Sequence, residues 1–573
     1  MRKQLKSILK ADYNTLKTPT ILLVIDALFQ MIPYMIMYFT IIDLFNSSIT
    51  KSKLINYTLI ILFATILRII IGGKGYSQIQ IRGARAVEHL RISLAEHLRQ
   101  LHLGYFNKKN IGYLSSIMTN DMASLEKIIT HRVSDLIKLI VIIIYIIILL
   151  FTVNLKLALI EVAFVIIGLP LVYFSGVVVE KTGYKQKKIL STVVSGMLEF
   201  FNGIEVFKAY SMVGKNFKRL EESFKHLYKR SIQLELCVAP FVMTFNFLID
   251  ISYPIVLLFA TKALIANEIT KITFFSFTLM LLALVNTLRQ FAVIYPETQY
   301  LKIAQKKLLS IENEKAQPFV KDKENKNNTI EFKNVSFEYE EKTPVIKNLS
   351  FIAKEGSTTA LIGPSGCGKT TIMNLIARFY DIKNGQILLG DTEIREIEPE
   401  LLLSKLSMVF QEVYLLCDTV YNNILMGNPK ATKEQVIQAA KLASVHEDIL
   451  NLENGYDTFV GEGGTKLSGG ERQRISLARA LIKDAPIILL DEATASIDMD
   501  NEIEIRKALD IITKNKTVII IAHRLNTIKN ADNILVLNNG VIEEMGNHKN
   551  LISKKGTYFR MINDIENSLK FKL

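Results

Sequence analysis

Cysteine is scarce in this chain: three in 573 residues, Cys237, Cys367 and Cys417. They are too few and too scattered for a disulfide framework or a zinc site, so a reducing compartment is the default for the soluble part. Internal repeats are absent as well, which leaves no basis for a solenoid. The N-terminal stretch MRKQLKSILKADYNTLKTP is basic and amphipathic, and it lacks the short apolar core and small-residue cleavage site of a secretory leader. It is therefore not expected to be a cleaved signal peptide. What the chain does not lack is apolar residues: 49% are hydrophobic, and they concentrate before residue 300. The length exceeds what one hydrophobic core supports and suggests about two to four domains. A membrane half followed by a soluble half accounts for both observations.

Six apolar stretches are long enough for the ~20 residues of helix that cross a bilayer. They lie near residues 19–45, 54–79, 136–153, 157–179, 238–264 and 272–296, and the third, LIKLIVIIIYIIILLFTV, holds a single charge. Short links around Asn46 to Lys53, Asn154 to Lys156 and Ala266 to Lys271 join these stretches in pairs, whereas long segments separate the second from the third and the fourth from the fifth. Those long segments are basic (Arg82, Arg85, Arg91, Arg99 and Arg132 in one; Lys181, Lys185, Lys187, Lys188 and Lys208 in the other), and so is the N-terminus. The positive-inside rule then puts both termini and both long segments in the cytoplasm of a multi-pass plasma-membrane protein. It also accounts for the net charge of +14, so no nucleic-acid partner is expected. Apolar residues at Val87, Leu90, Leu94, Leu98 and Leu101 recur at helical spacing. Each long segment can thus leave the membrane as helix, turn near Phe106 to Met118 or Phe207 to Asn216, and return.

The polar, charge-dense stretch ENEKAQPFVKDKENKNN reads as a linker. The expected organisation is a membrane domain over 1–311, a linker over 312–328 and an α/β nucleotide-binding domain over 329–573, where strands alternate with helices. In that domain GPSGCGKT, Gly363 to Thr370, follows the apolar strand TTALIG and precedes the helix TTIMNLIARFY, the context a P-loop requires. Gly363, Ser365, Gly366, Cys367 and Gly368 offer backbone to phosphates, with no redox role for Cys367. Lys369 reaches the β- and γ-phosphates, Thr370 can ligate Mg²⁺, and Thr371 continues the helix start. A second apolar strand, IILLDE, ends in Asp491, suited to the Mg²⁺ shell, and Glu492, placed to orient attacking water. About a hundred residues after the P-loop, KLSGGERQ puts Ser468, Gly469 and Gly470 before a helix, a second anion-binding turn.

The P-loop, LSGGERQ, LLDEATASID and IIIAHRL occur in the order and spacing of ATP-binding cassette ATPases. The six-span region with two long excursions resembles the exporter-type, or type IV, half-transporter fold. The likeness covers nearly the whole chain. It implies a helical membrane domain with six transmembrane helices and long cytoplasmic extensions, followed by an α/β P-loop domain that uses ATP and Mg²⁺. Carried onto this sequence, the resemblance makes Tyr339 the aromatic that stacks on adenine and Gln411 a residue near Mg²⁺ and water. It makes His523 a γ-phosphate contact, Asp498 part of the D-loop, and Ser468 with Gly470 a signature that binds ATP held by a partner cassette. A loop at Val460 to Gly464, with Glu462, resembles the family's cross-talk loop but lacks its usual arginine. One chain then supplies half of each site, and the working unit is a homodimer or heterodimer.

The substrate implied is an amphipathic or lipophilic small molecule moved out of the cell in contact with membrane lipid. Import of a ferric siderophore-type chelate by the same fold is an alternative, and an ATP-gated channel or a DNA-acting cassette ATPase a remote one. Asp26, Arg68, Glu161, Asp250 and Arg289 fall within the expected spans, as cavity groups, as interhelical pairs or as residues nearer the membrane interface than those bounds imply, and Asn286, Gln290 and Tyr295 of the sixth span are further candidates for a cavity wall.

Overall fold

The computed structural model describes residues 2–108, 111–210, 218–320, 325–340, 343–491, 507–522 and 528–570. The chain divides into two compact units, Met1–Gln100 with Phe106–Glu314, and Leu101–Tyr105 with Lys315–Leu573.

The first unit is helical. Among the described residues six segments are long and apolar enough to cross a membrane: Leu5–Phe45, Lys51–Arg99, Gly112–Val153, Leu155–Asn202, Arg219–Ile265 and Lys271–Glu312. Each contains one of the spans expected from sequence. The first is broken into Lys17–Phe29 and Ile32–Phe45. Pro33 falls in the first turn of the second piece, where its missing N–H has no partner to lose. Lys51–Arg99 runs unbroken for 49 residues. At a rise of about 1.5 Å per residue it is more than twice as long as the ~30 Å hydrocarbon core is thick. The short links end in side-chain caps: Thr50 accepts from the Lys53 N–H, Asn154 from Leu157 and Thr270 from Thr273. Each cap satisfies an orphan donor and lets the helix restart at once.

Glycines allow close helix approach inside this unit. A Cβ on Gly168 would come 2.8 Å from the Phe245 ring, and one on Gly176 2.9 Å from Tyr295. Buried polar groups are met in networks. Asp121, on the helix before the third span, contacts Lys307 at 2.5 Å and Lys187 at 3.3 Å. Asp26 contacts Lys138 at 2.6 Å and Arg68 at 3.4 Å, so these two expected intramembrane ionisable residues are interhelical partners. Glu161 is fully buried with no ion pair among the described residues. Leu59, Phe63, Ile66 and Ile70, by contrast, face outward. That surface suits hydrocarbon and not water.

Among its described residues the second unit carries two sheets. A six-stranded sheet has the order β10-β9-β3-β8-β7-β6, comprising β3 (Thr358–Ile362), β6 (Leu406–Val409), β7 (Ile487–Asp491), β8 (Thr517–Ile521), β9 (Asn533–Asn538) and β10 (Val541–Gly546). All its pairings are parallel except β10 with β9. Its central strands read as apolar runs because both faces are covered: every residue of β7 is buried. The smaller sheet, β1 (Ile330–Glu338), β2 (Pro344–Ala353), β4 (Asn384–Leu389) and β5 (Thr392–Glu393), is ordered β2-β1-β4-β5 and antiparallel. The alternation of strands with helices over 329–573 pointed to the first of these sheets alone. The second was hidden by register shifts in β1, which interrupt the alternation a strand normally prints.

Candidate nucleotide site

Parallel α/β sheets bind ligands beyond the carboxyl ends of their strands. The end of β3 leads into the loop 363–368 and then the helix Lys369–Ile376. Gly363, Gly366 and Gly368 take φ of +150°, +79° and +108°. Those values favour glycine, and the space agrees: a Cβ on Gly363 would collide with the Leu537 carbonyl, and one on Gly368 would meet Ile346 Cδ1 at 2.6 Å. Nothing lies within 4 Å of a Cβ built on Gly366, so that flank is open. Ser365 is exposed and Cys367 buried, its Sγ 2.8 Å from a Gly363 Cβ. The Lys369 ammonium lies across the loop and donates to the carbonyls of Gly363 at 2.8 Å and Pro364 at 3.0 Å.

The end of β7 meets this loop. Asp491 closes β7, and its Oδ2 accepts from Thr370 Oγ1 at 3.1 Å. A hydroxyl and a carboxylate oxygen in contact are hard donors of the kind Mg²⁺ takes, with its remaining positions filled by phosphate and water. Among the described residues no group of three or more His, Cys, Asp or Glu is set to hold a metal. Gln411 lies exposed just past β6, whose Val409 pairs with Leu490 of β7. Asp491 pairs with Ile521, near the end of β8. Glu492, Asp498 and His523 lie outside the described residues.

Tyr339 stands at the end of β1. Its hydroxyl shares a 3.0 Å hydrogen bond with Thr371 Oγ1, which ties it to the P-loop helix. Its ring packs edge-on against Phe337 at 4.9 Å and Tyr380 at 5.0 Å, and the residue stays 38% exposed. Tyr380 was not singled out from sequence. Its RFYD context carries no chemical signature, and only the fold brings it to Tyr339. It also meets the segment Leu101–Tyr105 within this unit: a Cβ on Gly104 would come 2.9 Å from Tyr380 Cε1, and the Leu103 N–H donates to the Phe379 carbonyl at 2.9 Å. The piece that joins the cassette therefore precedes the turn expected at Phe106 to Met118. Leu101 and Tyr105 are its buried anchors. The second expected turn is helical over Ile204–Ala209, and residues 211–217 lie outside the described set.

Ser468 caps the helix Gly469–Lys483 in a reciprocal box. Its Oγ accepts from the Glu471 N–H at 3.2 Å, while Glu471 Oε2 accepts from the Ser468 N–H at 2.7 Å. Ser468 and Gly469 are exposed, Gly470 is half-buried, and nothing lies within 4 Å of a Cβ on Gly469. Arg479, farther along the same helix, donates to the carbonyls of Asn423 at 2.6 Å and Tyr414 at 2.9 Å, anchoring the segment that follows Gln411. Burial lowers the pKa of its guanidinium to about 10. The structure thus brings Lys369, Thr370, Asp491, Thr371 and Tyr339 together. Among the described residues it gives Ser468 no hydrogen bond to that cluster.

A glycine-wrapped lysine loop, a paired hydroxyl and carboxylate at strand ends and six membrane-length helices define a membrane-embedded P-loop ATPase. Comparison with known proteins narrows this class. The family described as ABC transporter matches residues 346–495, and the ABC transporter transmembrane region matches residues 20–288. The ATP-dependent lipid A-core flippase of Syntrophus aciditrophicus (strain SB) is 35% identical over 509 residues, which is 86% of this chain and 82% of the relative. YgaD of Bacillus subtilis (strain 168), described as a multidrug export ATP-binding/permease protein, is 32% identical over 488 residues, 84% of this chain and 83% of its own. A solved bacterial Atm1-family ABC exporter with ATP bound superposes with a TM-score of 0.83 at 23% identity, covering 97% of this chain and 98% of that one, a likeness of fold. The chain belongs to the ABC transporter family. It is an exporter-type half-transporter and an ATPase coupled to movement of a substrate across a membrane.

Proposed function

We propose that two such half-transporters pair, hydrolyse ATP at shared sites and export an amphipathic small molecule. The observation that carries the pairing is the Ser468 turn, a capped, outward-facing helix start with an open Gly469 flank and, among the described residues, no hydrogen bond to the P-loop of its own chain. Such a turn offers backbone N–H groups and a positive dipole end to a phosphate held elsewhere. In this reading Ser468, Gly469 and Gly470 face the γ-phosphate on the partner's P-loop. Gly363 to Lys369 cradle the phosphates, and Tyr339 stacks on the adenine. Thr370, Asp491 and Gln411 hold Mg²⁺, which supplies charge stabilisation when bound. Glu492 orients the attacking water, His523 contacts the γ-phosphate, and Asp498 completes the dimer seam. Phosphoryl transfer needs little else, since positioning and electrostatics carry it.

Export is supported by the flippase and multidrug-export names of the relatives, and cytoplasmic cassettes and termini by the basic flanks of the spans. The test uses inside-out vesicles containing the chain alone. ATP-dependent accumulation of a lipophilic dye, abolished by Glu492→Gln, is the expected result. Accumulation only with a second, different half-transporter present would make the unit a heterodimer. ATP-driven uptake of a ferric chelate into right-side-out vesicles, without dye export, would reverse the direction.

A further inference from the structure

Asp250 and Arg289 pair across the fifth and sixth spans: Nε of Arg289 donates to Asp250 Oδ1 at 2.7 Å, and Nη2 donates to the same oxygen. Both lie about two helical turns or more inside their spans. The side chains are nevertheless 43% and 45% exposed, whereas the other intramembrane carboxylate with cationic partners, Asp26, is buried. Charged groups at this depth do not face lipid and instead line water-filled cavities or interfaces. The surrounding face agrees: Asn286 and Gln290 are exposed on the same turns of the sixth span, and Phe247 and Leu282 flank them as exposed apolar surface. Because both recorded hydrogen bonds end on Oδ1, Asp250 Oδ2 and Arg289 Nη1 remain available among the described residues.

We propose that this pair is the head-group site of the exported amphiphile and selects a zwitterionic head, an inference that rests on the export reading above. An anionic group on the substrate takes Arg289 Nη1, a cationic group lies against Asp250 Oδ2, and the apolar tail runs over Phe247 and Leu282. The two protein charges cancel, so a head of either sign alone leaves one of them unmatched in a poorly solvated cavity, which disfavours it.

The experiment measures ATPase stimulation in nanodiscs by three amphiphiles of equal chain length: an alkylphosphocholine, an alkyltrimethylammonium and an alkyl sulfate. The unaltered protein is expected to respond to the phosphocholine at concentrations at least tenfold below the others. Asp250→Asn should move the preference to the sulfate and Arg289→Gln to the ammonium. Asn286→Asp and Asn286→Lys, which keep the pair and the fold, should move it toward the ammonium and the sulfate respectively. Stimulation whose order of head groups is the same in every variant would make the pair a structural clip and overturn the inference alone. Persistent ATP turnover that none of the amphiphiles stimulates would overturn the export reading and this site with it.

Discussion

Arg378 is among the largest fully buried side chains, and its guanidinium is answered from several directions. It donates to the carbonyls of Pro318 at 2.5 Å, Ile397 at 2.9 Å and Ile394 at 3.2 Å, and to Asp381 at 2.9 Å. Gln317 donates back to the Arg378 carbonyl at 2.8 Å. The residue thus pins Gln317 and Pro318, near the point where the chain re-enters the second unit, to the segment that follows β5. Arg378→Met leaves the buried carbonyls of Ile394 and Ile397 and the partly buried carbonyl of Pro318 without their donor. A loss of about 3–5 kcal/mol is expected, read as a fall in thermal midpoint with the membrane unit unaffected. Titration gives a second check on single residues. Burial raises the Tyr558 and Tyr456 hydroxyls to about 12. The unfolded chain releases these protons near pH 10, so it binds fewer protons than the fold between pH 10 and 12. Stability is fully present below pH 10 and falls across that window, and Tyr558→Phe should flatten the decline in thermal midpoint. The P-loop was legible from sequence because its chemistry depends on local spacing: glycines for positive φ, then Lys369 and Thr370. Arg378 and Tyr380 were not, since their partners are distant in sequence and only tertiary packing selects them.

Helices three, four and six of the membrane unit are clamped beyond the spans by charge. Asp121 is buried with Lys307, and Lys187 closes the triad. One layer nearer the membrane, Glu180 meets Lys302 at 3.0 Å and Lys306 at 2.8 Å, and these cations hold its pKa below the usual carboxylate range. Removing one member of a buried pair costs more than the pair contributes, because the survivor stays charged in a poor solvent. Asp121→Asn should therefore lower the thermal midpoint in detergent by the equivalent of about 3–5 kcal/mol, and Asp121→Asn with Lys307→Met should recover most of it. An unchanged midpoint in the single variant would show that water already reaches the site. The long helices were legible because uninterrupted apolar runs have few alternatives in a membrane. The break after Phe29 was foreshadowed only by Pro33. The antiparallel sheet escaped notice because irregular register blurs its alternation.

For the molecule as a whole, the first unit supplies a path and the second supplies ATP chemistry, with Leu101–Tyr105 a stretch of the N-terminal half that packs as part of the cassette. Through Gly104 and Tyr380 that stretch stands one ring away from Tyr339. On the proposed pairing, no single chain contains a complete hydrolytic site. The direct measurement coexpresses two differently tagged copies and purifies only mixed dimers. In the pair Lys369→Ala with Ser468→Arg, sharing between chains leaves one whole site, so ATP turnover is predicted where neither variant alone has any. In the pair of unaltered chain with the double variant, sharing destroys both sites, and no turnover is predicted. Turnover in the second pair and silence in the first would contradict the account, since each signature loop would then serve its own P-loop.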